Sequence, residues 1–317
     1  MPTARAHLLE LPHTVPSVSR LLVLLASLAT GCGMGEELAT SSEPSNQLQP
    51  LVDINGLSVN GLSVNGLSVN GLSVNGLSVN GLSDSAFHAW FQSSPALSDS
   101  VMRYLFLCAA PSGQTLSYTD SSTGQQYTWS GELGLATGWA AGQAATVAEQ
   151  QVVSACLAAH VNKFGMHISI SLLGLDGAGR PLAYSAAELS SHSRKEACIF
   201  GNLFSGEGLF VGNDGGALTS SESSARVCTL TDEPGTSRVA ECAPLVQVGP
   251  CDTHCTLDES GTYYTSCTYQ GATYQPLTTR LRAEDVYQCG DGICQVTESC
   301  GTSNQYNNCQ LDCGSCP

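Results

Sequence analysis

Fifteen cysteines in 317 residues constrain this chain more than any other feature it carries. An odd number cannot be completed by intramolecular bridges alone, and one cysteine stands apart from the rest. Cys32 sits near the N-terminus, while the next does not appear until Cys108. Setting Cys32 aside leaves fourteen: Cys108, Cys156, Cys198, Cys228, Cys242, Cys251, Cys255, Cys267, Cys289, Cys294, Cys300, Cys309, Cys313 and Cys316, enough for seven disulfides. A chain that commits its thiols in this way belongs in an oxidising compartment.

The N-terminus supplies the route there. Arg5 and Arg20 precede the apolar run from Leu21 to Ala29, which is far shorter than the roughly 20 residues a membrane-spanning helix needs. It has the length and flanks of a secretory h-region. Small residues Thr30 and Gly31 then lead into Cys32. This resembles the bacterial lipobox, in which the cysteine is acylated and becomes the first residue of the mature protein. The expectation is therefore a signal peptide over 1–31, a lipid on Cys32, and a membrane partner reached through that anchor. Ala29 departs from the leucine more usual at its position, so an ordinary signal peptide is the competing reading.

Charge excludes one class of partner. The net charge is −16, lysine occurs only at Lys163 and Lys195, and no cluster of cations is present. Loss of Arg5, Arg20 and Glu10 with the leader removes two positive charges and one negative, giving −17. Phosphate backbones are held by cationic side chains, so nucleic acid is not a partner.

After a polar tether over 32–54, Asn-Gly-Leu-Ser occurs six times, from Asn55, Asn60, Asn65, Asn70, Asn75 and Asn80, with Val between copies. A period of five matches neither a helix nor a strand. Asn-Gly favours turns, and so short a stack has few neighbours to bury a core against. The expectation for 55–83 is a low-complexity repeat stalk, flexible or weakly ordered.

The body over 84–288 reads as α+β. Short helices are expected at Ala86–Phe91, capped by Ser83 or Asp84, and at Val101–Cys108, capped by Ser98 or Asp99. Leu116 and Tyr118 alternate on one arm of a hairpin, and Tyr127 and Trp129 on the other. Thr146-Val-Ala-Glu149 is a capping box opening a helix toward Phe164, with Val152, Val153, Cys156, Leu157 and His160 along one stripe. Cys108 and Cys156, both in expected helices, are expected to be bridged. His167–Leu172 alternates as a strand, with Leu182–Tyr184 as its partner. Ser193–Glu196 is a second capping box, opening a short helix through Cys198. Leu209–Val211 is a strand, Glu222–Cys228 a helix, and Thr262–Tyr264 with Thr268–Tyr269 a small hairpin. Residues 289–317 form a six-cysteine module, a knot too small to fold on apolar contacts alone.

Motifs for chemistry are sparse. Gly-x-Ser-x-Gly, Ser-x-x-Lys and His-Glu-x-x-His are all absent. Ser205 within Leu203–Gly208 lacks the glycine that a nucleophile elbow requires, and reads as a turn. Asp291, Glu298 and Asp312 in the C-terminal module are candidate calcium ligands, weighed against solvated surface carboxylates. Cys251, His254 and Cys255 have the residue types of a zinc site, but in an oxidising compartment they read as disulfide partners. His160 and His167 are read as core or surface residues. No other cofactor is expected.

The lipobox, the Asn-Gly-Leu-Ser-Val repeats, the segment Cys198-Ile-Phe-Gly-Asn-Leu-Phe204 and the tail Cys289-Gly-Asp-Gly-Ile-Cys294 together resemble a group of myxobacterial-type surface lipoproteins. The resemblance covers most of the mature chain. It implies a cell-envelope location, at the outer membrane or cell surface, and carries no catalytic residues. The functional expectation is a non-enzymatic binding or structural module for a protein or glycan. The alternative is an exported hydrolase with a carboxylate-based site, and it requires a cleft holding two close carboxylates of shifted pKa.

Overall fold

The computed structural model describes residues 70–161, 169–214, 245–285, 289–294, 300–301, 304–305 and 308–316. The expected leader, Cys32, the tether, the first repeat copies, His167, the helix expected at Glu222–Cys228, Cys228, Cys242 and Glu298 lie outside them. The described residues fall within one unit, Gln49–Pro317.

The repeats from Asn70 onward are built into the body. The three copies carry two short helical turns, α1 (Leu72–Asn75) and α2 (Val79–Leu82), which start at different positions of the repeat. Gly71, just before α1, and Gly76, just after it, take positive φ of +74° and +84°. Leu72 and Leu77 are fully buried and Leu82 nearly so, whereas Val74 and Val79 are about 70% exposed. The Trp139 indole N–H donates to the Leu72 carbonyl at 2.7 Å. The Leu77 N–H donates to the Trp139 carbonyl, and the Ala145 N–H to that of Ser73. The flexible stalk expected for 55–83 therefore does not extend over these copies. Alone they bury little, but against Trp139 they fill the core.

The helices α3 (Ser85–Ser93) and α4 (Pro95–Ala109) follow directly. The Asp84 carboxylate caps α3 by accepting the Ala86 N–H at 2.8 Å. The second helix begins at Pro95, earlier than a Ser98 or Asp99 cap implies, because proline suits the first helical position. Asp99 instead accepts the Trp129 indole N–H at 2.7 Å. The hairpin β1 (Thr115–Thr119) and β2 (Gln126–Ser130) pairs Leu116 with Trp129 and Tyr118 with Tyr127. Its apolar face packs on Phe87 and Phe91 of α3.

After α5 (Thr137–Ala140) comes α6 (Val147–Ala159), whose capping box is formed in full by Thr146 and Glu149. This helix is buried on nearly every side, beyond the single stripe its spacing suggests, because it lies between α4 and a five-stranded sheet. The expected Cys108–Cys156 bridge ties it to α4.

That sheet has the order β3-β10-β4-β5-β6. Its strands are β3 (Ile170–Gly174), β4 (Arg194–Asn202), β5 (Gly208–Asn213), β6 (Leu245–Pro250) and β10 (Leu277–Leu281), with α7 (Ala186–Ser191) between β3 and β4. Only the β5–β6 pair is parallel. Its second face carries α8 (Cys251–His254) and a small sheet of β7 (Cys255–Leu257), β8 (Tyr264–Tyr269) and β9 (Ala272–Tyr274). The helix side of β4 and β5 presents Ala197, Ile199, Leu209 and Val211 to the main core. The opposite side presents Cys198, Phe200 and Phe210 to Tyr264, Cys267 and Tyr274.

Three local expectations are corrected. The segment expected as a helix from Ser193 through Cys198 instead enters strand β4 at Arg194. Residues Glu196–Asn202 are buried on both faces, and ladders from β10 and β5 outweigh a local capping pattern. Leu182–Tyr184 is not the partner of β3, which pairs with β10. Thr268–Tyr269 is not a return arm for Tyr264, because both lie on β8, and the turn comes at Gln270–Gly271 with positive φ.

In the C-terminal module, Cys289 pairs with Cys309, Cys294 with Cys313, and Cys300 with Cys316. Each cysteine joins the one three further on among the six, so every bridge interleaves with the other two. Short strands β11 (Asn304–Gln305) and β12 (Asn308–Cys309) and the turn α9 (Gln310–Cys313) complete it.

Candidate functional site

A cleft of about 240 Å³ opens where α5, the start of α6 and the turn after β3 meet. Its carboxylates are Glu149 and Asp176. Glu149 Oε1 accepts the N–H groups of Gly138 and Trp139 at 3.1 and 3.2 Å. Its Oε2 accepts the Thr146 N–H and hydroxyl at 2.9 and 3.0 Å. Asp176 Oδ1 accepts the N–H groups of Ala178 and Arg180, both at 2.9 Å. Its Oδ2 pairs with the Arg180 guanidinium. Burial alone would raise the Asp176 pKa, but the Arg180 and Ala178 donors outweigh it and hold it below the usual carboxylate range. Both groups hold loops in place. Glu132, whose pKa burial raises, does not line this cleft.

The cysteine and histidine groups have similarly settled partners. Cys251 and Cys255 are bonded to Cys198 and Cys267, and His254 Nε2 lies 2.9 Å from the Val248 carbonyl. The zinc pattern read from residue types is thus a pair of disulfides. His160 Nδ1 lies 2.8 Å from the Cys156 carbonyl and its ring rests on Tyr104. In the C-terminal module Asp312 accepts the N–H groups of Gly290 and Gly292, and Asp291 that of Ile293. These two carboxylates serve the loop between Cys289 and Cys294. The turn at Ser205 is held by the Asn202 side chain, which accepts the N–H groups of Phe204 and Ser205.

Two polar clusters were invisible in the sequence. The first joins Lys195, Asp214, Tyr264 and Arg280 at one end of β4 and β10. Lys195 Nζ is 3.2 Å from Asp214, which also accepts the Tyr264 hydroxyl at 3.1 Å. Burial, and then the Asp214 charge, push the Tyr264 pKa well above its ordinary value, so the hydroxyl keeps its proton and remains the donor. Arg280 donates to the carbonyls of His192 and Ser193.

That clamp positions the second cluster. His192 Nε2 lies 3.0 Å from Ser169 Oγ, and its Nδ1 lies 3.0 Å from Ser191 Oγ. Nearby, the Ser171 hydroxyl donates to Glu188 at 2.8 Å. A hydroxyl, an imidazole and a third group orienting the ring form the arrangement that activates a serine. Ser169 and His192 are 23 residues apart, joined through β3, α7 and β10, so no short motif could reveal them.

Among the described residues no helix is long and apolar enough to cross a membrane. The six disulfides among the described residues fit an oxidising compartment. Comparison with protein-family models, with curated proteins and with solved structures gives no match.

Proposed function

We propose that the chain is an exported cell-envelope protein, anchored by acyl chains on Cys32, whose disulfide-braced body is a non-enzymatic binding or structural module. The observation that carries this reading is the state of the cleft. Glu149 and Asp176 each accept hydrogen bonds on both oxygens from donors of the body itself. A carboxylate-based hydrolase needs one such group free to take a proton and another free to attack or to activate water. A protein or glycan ligand instead needs only a surface that holds its shape. Intact-mass measurement of the non-reduced mature protein tests the compartment and the anchor together. The expected mass is that of a chain starting at an acylated Cys32, with no other thiol open to alkylation. A full-length leader or several reactive thiols would overturn it. Calcium titration is expected to leave the melting temperature unchanged. A saturable rise would favour the calcium site expected at Asp291, Glu298 and Asp312.

A second reading, an exported serine hydrolase, is favoured by the Ser169–His192 pair. In it Ser169 Oγ attacks an ester carbonyl while His192 Nε2 takes the hydroxyl proton and returns it to the leaving alkoxide. A fluorophosphonate probe that labels wild type but not Ser169→Ala or His192→Ala would establish it. Absence of labelling in folded wild type ends it.

A further inference from the structure

Two disulfides lie against each other on the second face of the sheet. Cys198–Cys251 ties β4 to α8, and Cys255–Cys267 ties β7 to β8. The sulfurs of Cys198, Cys255 and Cys267 all lie within 4.8 Å of one another. Cys198, Cys251 and Cys267 are buried, whereas Cys255 is only half-buried. Gly212 makes room for the arrangement, since a Cβ there would fall 2.7 Å from Cys198 Sγ and 3.1 Å from Cys251 Sγ. No other cysteine group among the described residues brings sulfurs of two bridges so close.

We propose that this four-cysteine cluster is a thiol–disulfide exchange site with two covalent states, interconverted by a small thiol that is not consumed. Disulfides isomerise by thiolate attack on a bridge sulfur, at a rate governed by access and by which sulfur is reached. The incoming thiolate attacks the sulfur of Cys255, the least buried residue of the four, forming a mixed disulfide and expelling Cys267 as a thiolate. Cys267 then attacks the adjacent Cys198 sulfur, and Cys251 leaves. Cys251, one helical turn before Cys255, attacks the mixed disulfide and expels the original thiol. Two bridges have become two others, Cys198–Cys267 and Cys251–Cys255, with no net oxidation. The exchange transfers the covalent hold on β4 from α8 to β8. The edge strand β6, which runs directly into α8, then loses its covalent tie to β4 through α8 and is held by its ladder to β5 and the packing of Leu245 and Val248.

Aspartates divide the cluster conveniently for mapping. Cleavage before Asp252 and Asp258 places Cys251, Cys255 and Cys267 on three different peptides. The folded mature protein is incubated with reduced glutathione, raised until Cys255 carries glutathione or a new bridge forms, then alkylated, quenched and mapped without reduction. The expected result is a new Cys198–Cys267 cross-linked peptide, with Cys108–Cys156 and the C-terminal bridges unchanged. Glutathione on Cys255 and label on Cys267, with Cys198–Cys251 wholly intact, would overturn the proposal. Cys251→Ser gives an independent readout, because it leaves Cys198 as the initial free thiol. Exchange moves most of the label to Cys255 or Cys267, whereas label confined to Cys198 in the folded variant refutes the relay.

Discussion

Glu149 accepts four hydrogen bonds, from the N–H groups of Gly138, Trp139 and Thr146 and from the Thr146 hydroxyl. The capping box at Thr146 was legible as a four-residue pattern. The bonds to α5 were not, because they depend on where a distant loop comes to rest. Glu149→Ala strands buried donors on two elements and is expected to destabilise the protein by about 2–4 kcal/mol, measured as a shift in denaturation midpoint. Three aspartates play comparable parts in turns. Asp120 is held below its ordinary pKa by the Ser122 N–H and hydroxyl first. For Asp176 and Asp258 burial pulls upward, but Arg180 and Ala178 in one case, and Ser260, Tyr263 and Thr262 in the other, outweigh it. A depressed folded-state pKa gives stability that is fully present above the unfolded value, about 3.9 for Asp. It is lost as pH falls through the folded-state values. Urea midpoints are therefore expected to hold down to about pH 4 and to fall below it. Replacing Asp176 with Asn is expected to flatten part of that fall.

At the scale of elements, the repeats separate what a sequence shows from what it leaves hidden. Their five-residue period was plain, and so was the turn-forming character of Asn-Gly. What they pack against was not, since Trp139 lies 67 residues beyond Leu72. Leu77→Ala is expected to lower stability by about 2–5 kcal/mol, as for other fully buried leucines. Val74→Ala, at an exposed site, should shift it by less than about 0.5 kcal/mol. Thermal melts of the two variants check both, and equal, negligible effects would mean these copies are not seated. The same contrast explains the elements read correctly and those missed. The β1–β2 hairpin alternates one buried face with one wet face, and α6 carries its cap in the chain. Strand β4 announces neither, because a strand covered on both sides loses its alternation, and its neighbour β10 comes 75 residues after Asn202. Ser169 and His192 were missed for the same reason, being neighbours only once β3, α7 and β10 are assembled.

For the molecule as a whole, the α+β architecture and the Cys108–Cys156 bridge were foreseeable from local pattern, but the remaining pairings were not. Six cysteines alone allow fifteen arrangements, and the interleaved set found in the C-terminal module comes from three-dimensional proximity. The seated repeats have one consequence at this scale. Because the pentapeptides are identical, removing any single unit from the tract yields the same shortened chain, with a like leucine in each seat nearest Ser83. A chain shortened by one unit therefore still offers the three described seats their own sequence. Chains left with fewer than three units should melt at a lower temperature than the full chain. Identity among the copies thus makes the occupants of these seats interchangeable.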